Sequence, residues 1–146
     1  KHLFARLLTI FLFLISGLIV LSIFFYYYPR HIVEAPQSQT DKIEYRIGDP
    51  ILVSGSTKVY VNADSNNTVY IRCGMSSYVV QSFKLRMYKT EGNYPAFKLG
   101  IVPDGVLASP PSCQLVTESV YSVHTFLWFY REYTHTFYTN TFNIIK

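Results

Sequence analysis

The N-terminal part of the chain is one continuous apolar segment. From Leu7 to Tyr28 the sequence has no formally charged side chain and is rich in Leu, Ile and Phe. A helix rises about 1.5 Å per residue, so this segment is roughly 33 Å long, enough to cross the ~30 Å hydrocarbon core of a bilayer. The pattern predicts a transmembrane helix, with its flanks, over residues 1–30.

Two interpretations of this segment are open, a retained anchor and a cleaved secretory signal. Signal h-regions are about 7–15 residues long and end at a small-x-small cleavage site. This segment is longer, and it ends in three tyrosines followed by Pro29. Tyrosine rings favour the headgroup level of a membrane, and proline is suited to end a helix. We therefore expect an uncleaved signal-anchor. Its membrane-interface belt is expected to consist of Tyr26, Tyr27, Tyr28 and Arg30.

The orientation of this helix is set by weak charge evidence and by the cysteines. Lys1 and Arg6 precede the span and Arg30 follows it, so the positive-inside bias is small. Both cysteines, Cys73 and Cys113, lie after the helix, and such a pair in a small exported domain is commonly a disulfide. Two free thiols in a reducing compartment are the alternative. We expect the disulfide, a cytoplasmic N-terminus, and a periplasmic or otherwise exoplasmic C-terminal domain.

After the helix the pattern changes to period two. Residues 31–40 are polar and predict a short linker, and 41–146 are enough for one small domain. Alternating or short apolar segments predict strands over 43–47, 50–53, 58–61, 69–73, 83–88, 97–101 and 115–120. Turn-forming residues separate them at 48–50, 64–67, 91–93 and 103–105. This spacing predicts an all-β immunoglobulin-like sandwich behind one N-terminal transmembrane helix.

The last third of the chain carries large apolar groups on both faces of one further candidate strand, with a turn expected around Glu132. One face is compact and aliphatic-rich, with Val123 and Leu127, whereas the other includes Trp128, which tolerates a half-wet surface. A central strand that is covered on both sides is one interpretation. The other is a docking surface for another subunit or for the lipid interface. We expect a docking surface formed by Phe126, Trp128, Tyr130 and Tyr138.

The net charge of the domain says little about its partners. The whole chain is only +4, and residues 41–146 contribute +2 of this, which does not suggest a nucleic-acid binder. Lys84, Arg86 and Lys89 form a candidate basic patch that could meet anionic headgroups or an acidic partner. The alternative is an outer strand face whose charges keep it solvated and discourage edge pairing.

No motif in the chain names a reaction. His124 and His135 have no Cys, Asp or Glu beside them at ligand spacing, so we expect no metal. Ser54 and Ser56 flank Gly55, but the chain has no nucleophile-elbow pattern and no phosphate-cradling glycine loop. We therefore expect no catalytic residues, no cofactor and no enzymatic activity.

Four short segments resemble a known group of proteins. They are Tyr45–Ile51, Pro110–Cys113, Tyr130–Tyr133 and Phe142–Ile144. In this order they are similar to small single-pass membrane proteins encoded by tailed phages. That group commonly has a Pro-Gly turn before its Tyr-Arg strand, a place that Glu118–Val120 occupies here. The resemblance implies a phage or viral membrane setting and an immunoglobulin-like domain, with no activity attached.

Three functional classes are compatible with these features. The first is a membrane-anchored structural or interaction protein that docks on another subunit of a membrane or virion assembly. The second is a glycan or small-ligand binding module on a membrane anchor, since Tyr and Trp on a β surface suit sugar rings. The third is an envelope factor that blocks a host membrane protein. We expect the first class, with the lipid bilayer and another membrane or virion protein as partners and no nucleic acid.

Overall fold

The structure, a computed structural model, describes residues 2–27, 31–106, 112–126 and 129–145. The chain divides into two compact units. One unit comprises Lys1–Arg30 and His124–Arg131, and the other comprises His31–Val123 and Glu132–Lys146.

The apolar segment forms one helix, α1, over His2–Tyr27. Within it, His2–Phe25 is long and apolar enough to span a membrane. Two of its hydroxyl groups are satisfied by the helix itself, since Thr9 Oγ1 donates to the Ala5 carbonyl at 2.9 Å and Ser16 Oγ donates to the carbonyl three residues earlier at 2.9 Å. Lipid offers no hydrogen-bond partners, so this internal satisfaction suits a helix in a bilayer. The predicted N-terminal apolar helix is confirmed.

The rest of the described chain is built from eight strands. They are β1 (Val33–Thr40), β2 (Glu44–Arg46), β3 (Pro50–Val59), β4 (Ala63–Cys73), β5 (Ser76–Met87), β6 (Thr90–Ile101), β7 (Cys113–Phe126) and β8 (Phe129–Ile145). Seven of them follow the order β5-β4-β7-β8-β1-β3-β6, and β2 pairs in parallel with the end of β8. The all-β domain that was predicted behind the helix is therefore confirmed.

The core of the domain has two parts. The first core cluster includes Tyr45 and Phe142, whose rings meet edge-on with centroids 5.1 Å apart. It consists of Tyr45, Ile51, Val53, Val69, Ile71, Leu99, Val102, Val106, Cys113, Leu115, Phe142 and Ile144. The second core cluster consists of Ile32, Val33, Val59, Ala63, Tyr121 and Val123. Strand β4 shows how period two builds this core, because its odd-numbered residues from 63 to 71 are buried while their neighbours face outward.

The predicted disulfide is present. Cys73 and Cys113 are bonded, with their Cα atoms 4.3 Å apart, and no described cysteine is free. The two residues lie directly opposite each other at the paired ends of β4 and β7. In antibody domains the conserved disulfide joins the two sheets. Here the bond joins neighbouring strands of the same sheet, so this feature differs from the antibody pattern.

The predicted linker is a strand instead. Residues 33–40 form β1, which pairs with β3, and Ile32 and Val33 just inside the domain are buried. The ladder shifts register between Glu34 and Gln37, where the chain contains a proline that has no N–H to donate. The polar composition of this segment predicted a tether. The prediction failed because strand pairing uses backbone N–H and C=O groups, which every residue except proline supplies whatever its side chain.

Two predicted turns also lie inside strands. Residues 64–67 belong to β4 and residues 91–93 belong to β6. Their Asp, Asn, Ser and Gly residues favour turns locally. In the fold, Asn67 pairs with Ser119 of β7 and Gly92 pairs with Thr57 of β3, so tertiary pairing overrides the local preference. The predicted turns at 48–50 and 103–105 are closer to the structure, since Gly48 has a φ of 84° and Val106 N donates to the Pro103 carbonyl at 3.2 Å.

The last two strands, β7 and β8, divide earlier along the chain than expected. Glu132 lies within β8, and the break between β7 and β8 falls between Phe126 and Phe129. The turn predicted around Glu132 is therefore wrong. As a result His124 contacts the ring of Tyr130, not a residue near position 140, with centroids 5.1 Å apart. Neither residue 127 nor residue 128 is glycine or proline, so local sequence offers no signal that β7 ends at Phe126.

Candidate functional site

A cleft with a volume of about 630 Å³ opens in the β domain. Its walls draw on both core clusters, with Val53 and Leu99 from the first and Val33 and Tyr121 from the second. Protein interiors rarely hold voids larger than a water molecule, whereas small-molecule sites measure about 300–1,000 Å³. The cleft therefore has the size of a ligand site.

The cleft is lined mostly by apolar side chains that are only partly covered. They are Phe83, Leu85, Met87, Tyr94, Phe97 and Phe137. Leu85 is 52% exposed and Phe97 is 44% exposed, although both line the cleft. Strands β5 and β6, which carry these two residues, are the first and last strands of the sheet order. Their apolar faces therefore meet across a seam that no strand of the described chain fills.

The seam closes at one end. A Cβ atom added to Gly100 of β6 would collide with the Cγ1 atom of Val80 on β5. The absence of a side chain at Gly100 thus permits the two strands to approach each other there. From Gln81, the residue after Val80, the cleft lining continues along β5 through Phe83 and Leu85.

A chain of hydrogen bonds satisfies the polar groups beside the cleft. Ser119 Oγ donates to Asn67 Oδ1 at 2.6 Å, Asn67 Nδ2 donates to Ser65 Oγ at 3.0 Å, and Ser65 Oγ donates to the Leu85 carbonyl at 3.0 Å. All three polar residues are buried. No buried side-chain nitrogen or oxygen in the described residues lacks a partner. These groups hold β4, β5 and β7 together and leave little hydrogen-bonding capacity for a ligand.

Two tyrosines add neutral walls to the cleft. The Tyr94 hydroxyl lies 2.9 Å from Ser38 Oγ, in a hydrogen bond in which either group can donate. Burial raises the pKa of Tyr121, so its phenol stays neutral at physiological pH. The walls of the cleft are therefore mostly apolar, and Lys98 is their one formally charged residue.

A smaller polar pocket of about 300 Å³ lies on β1, β3 and β6. It is lined by Gln37, Gln39, Ser54, Gly55, Ser56, Asn93 and Tyr94. Amide groups beside an aromatic ring are what a sugar site needs, but the Tyr94 ring is only half-exposed and its hydroxyl is engaged with Ser38. This pocket is the place in the described chain that the glycan-binding alternative would use.

Part of the predicted docking surface can be located. Tyr130 is 65% exposed at the start of β8 and packs edge-on against the exposed His124 of β7. Tyr138, farther along β8, is 51% exposed and also lines the cleft. Trp128 lies outside the described residues, and of Phe126 only the backbone is described.

The two candidate histidines do not share a site. His124 contacts Tyr130, whereas His135 stacks on Phe137 with centroids 6.1 Å apart and meets Tyr121 edge-on at 5.9 Å. Within the described residues, no group of three or more His, Cys, Asp or Glu side chains is placed to hold a metal ion.

The candidate basic patch is exposed but partly neutralised. Lys84, Arg86 and Lys89 are all exposed. Arg86 Nε lies 3.8 Å from Asp64 Oδ1, its cross-strand neighbour on β4. Lys89 is held at its backbone, where its N–H donates to Asn62 Oδ1 at 2.8 Å. An exposed ion pair of this kind contributes only about 0–1 kcal/mol. Both interpretations of the basic patch, a solvated strand face and a binding site, are compatible with this geometry.

The membrane-interface belt is only partly described. Helix α1 includes Tyr26 and Tyr27, of which only the backbone is described, whereas Tyr28 and Arg30 lie outside the described residues. The interface belt therefore stays a prediction.

Sequence reasoning missed the cleft, although it identified one of its walls. The alternating segment at 83–88 predicted the strand whose Phe83, Leu85 and Met87 line the cleft. The inward polar residues of β4, Ser65 and Asn67, were placed in a turn. Burial alternates along β4 from 63 to 71, but Ser65 and Asn67 are themselves polar, so no hydrophobic alternation in the sequence marks them.

Comparisons with known proteins add little to this geometry. No family model matches the chain, and no curated protein sequence matches it. A solved structure that it resembles is Spo0M, a sporulation control protein from Bacillus subtilis, with a TM-score of 0.40 and 8% sequence identity. The match covers 77% of this chain and 48% of the other, so this chain spans about half the length of that protein.

Proposed function

We propose that this protein is a single-pass membrane protein whose β domain docks on another subunit of a membrane or virion assembly. The carrying observation is the exposed ring pair of His124 and Tyr130 on β7 and β8. Large aromatic groups supply contact area at low entropic cost and are enriched at protein interfaces. The proposed role is binding, not catalysis.

The location of the domain is part of this proposal. Helix α1 has the length and composition of a membrane anchor. The Cys73–Cys113 disulfide supports an oxidising compartment, such as the periplasm or another exoplasmic space, for the domain that follows. The N-terminus would then lie in the cytoplasm. A phage or viral setting belongs to the same proposal and rests on the sequence resemblance alone.

We also propose the immunoglobulin-like sandwich as the finer architecture. Two groups of strands support it, β5-β4-β7 and β1-β3-β6, because each contributes inward residues to the first core cluster. The position of the disulfide within one sheet is the feature that departs from antibody domains.

The docking surface predicts a selective loss of partner binding. Replacing Tyr130 by Ala should leave the domain folded, since the side chain is 65% exposed, and should weaken capture of a stoichiometric partner from detergent-solubilised membranes. The matched control is Tyr88→Ala, because Tyr88 is 63% exposed on another part of the chain. Equal capture by the wild type and both variants would contradict the docking surface.

The anchor predicts resistance to extraction. The full chain should stay in the membrane pellet through an alkaline carbonate wash. The wash releases proteins that are held only by electrostatic contacts, whereas an apolar helix of this length is held by its burial in the hydrocarbon core. Mass spectrometry should find residues 1–30 retained. A mature N-terminus near Glu34 or Ala35 would show that the segment is a cleaved signal peptide.

A further inference from the structure

We propose that the cleft between β5 and β6 holds the acyl chain of a membrane lipid. The proposal goes beyond the docking function, since no residue that carries it lies in the segment 124–131. It shares with that function only the membrane anchor, which the carbonate wash tests separately.

The chemistry of the walls selects the occupant. Among the residues that line the cleft, Lys98 is the one with a formal charge. It is an exposed residue, and its partner on β3 is the half-buried Leu52 rather than either of the buried residues beside it. The polar side chains Asn67, Ser119 and Tyr94 are already bonded within the protein. A peptide occupant would bring backbone N–H and C=O groups that need partners, and leaving them unpaired is costly. A hydrocarbon chain needs none, so the walls match it.

The size and the free apolar surface agree with a hydrocarbon occupant. The volume of about 630 Å³ falls in the range of sites that enclose a small organic molecule. Leu85 and Phe97, which line the cleft, keep 52% and 44% of their surfaces exposed. Each methylene group of a ligand buried against such surface raises the affinity roughly fourfold.

The covalent structure of the chain favours lipid as the source of this hydrocarbon. Only residues 28–31 separate helix α1 from Ile32, the first buried residue of the domain. When α1 spans the bilayer, the four intervening residues reach at most about 14 Å, so Ile32 stays close to the end of the helix. Membrane lipid is therefore a local source of acyl chains, which dissolve poorly in water.

The test uses the full-length chain in phosphatidylcholine nanodiscs. A small fraction of the lipid carries a photoactivatable diazirine midway along one acyl chain, and labelled residues are mapped by mass spectrometry after illumination. We expect labels on the cleft residues of β5 and β6 as well as on α1. Excess unlabelled oleate should reduce the cleft labels and leave the α1 labels unchanged.

A cleft-filling variant makes the test specific. Leu85→Trp should lower cleft labelling roughly fifteenfold relative to α1 labelling in the same sample, because the larger ring displaces about two methylene groups of the ligand, each worth roughly fourfold in affinity. The control is Val79→Trp, since Val79 lies on the same strand, is 66% exposed and does not line the cleft.

Three results would overturn the proposal. They are labels confined to α1, cleft labels that survive Leu85→Trp undiminished, and equal cleft labelling by a lipid that carries the diazirine on its choline group. If Leu85→Trp does not fold, the wild-type map and the oleate competition decide the question by themselves.

Discussion

Removal of the Cys73–Cys113 disulfide should lower the melting temperature of the β domain by on the order of 15 °C. The bond closes a segment of 40 residues. In the chain-entropy model such a loop stabilises the folded state by about 4 kcal/mol, and a domain of this size shifts by roughly 4 °C or more per kcal/mol. The measurement is thermal unfolding of the full chain with both cysteines replaced by Ala, compared with the wild type.

Two controls separate the bond from its surroundings. Cys113 is buried in the first core cluster, so the single variant Cys113→Ser adds a buried hydroxyl to the loss of the bond and should melt at a lower temperature than the double variant. Wild-type protein treated with reductant should approach the double variant. Free thiols in freshly purified protein, or an unchanged melt, would contradict the bond and weaken the exoplasmic placement.

Replacing Tyr45 by Ala should destabilise the domain by about 3–5 kcal/mol, the cost of deleting a large aromatic ring from a packed core. Tyr45 is fully buried on β2 and its ring packs edge-on against Phe142. Chemical denaturation measures the change. Ile43→Ala is the matched control, because Ile43 lies two residues away, is 72% exposed and should change stability by less than about 0.5 kcal/mol. Similar losses for both variants would contradict the assignment of Tyr45 to the core.

The hydroxyl of Tyr45 adds a pH dependence to this prediction. It donates to Asp41 Oδ1 at 2.6 Å, and burial together with this bond raises its pKa from 10.0 to about 12. The unfolded chain loses this phenolic proton first, so the contribution of Tyr45 to stability is fully present below pH 10 and is lost as the pH rises from 10 to 12. Tyr45→Phe should reduce the slope of stability against pH in this range by up to the value that corresponds to one bound proton. The slope will not vanish, because hydrogen bonds to carboxylates also raise the pKa of Tyr60 and Tyr70.

The features that sequence predicted well are those that depend on local composition and period. Helix α1 follows from an uncharged segment of sufficient length, and no partner is needed to recognise it. Parts of β4 and β5 follow from the short apolar segment at 69–73 and the alternating segment at 83–88, and Val69 and Ile71 are buried as apolar residues. The disulfide was expected because only two cysteines occur, although their direct opposition across β4 and β7 was not.

The features that sequence predicted poorly are those in which pairing overrides local preference. Residues 64–67 have the composition of a turn, yet Ser65 and Asn67 are buried because Ser119 and the Leu85 carbonyl supply their hydrogen bonds across neighbouring strands. Likewise, residues 33–40 have the composition of a tether, but β3 supplies the backbone partners that make them a strand.

By itself, then, the sequence determined that an apolar helix precedes an all-β domain and which two cysteines are available to bond, because length, period and residue type carry that information. The tertiary structure decided where the strands begin and end, since hydrogen bonds between distant strands override turn-forming residues. It also decided that β5 and β6 approach each other at Gly100 and that Leu85 and Phe97 line a common cleft. The cleft exists only because strands at opposite ends of the sheet order lie beside each other, and no local pattern along either strand contains that information.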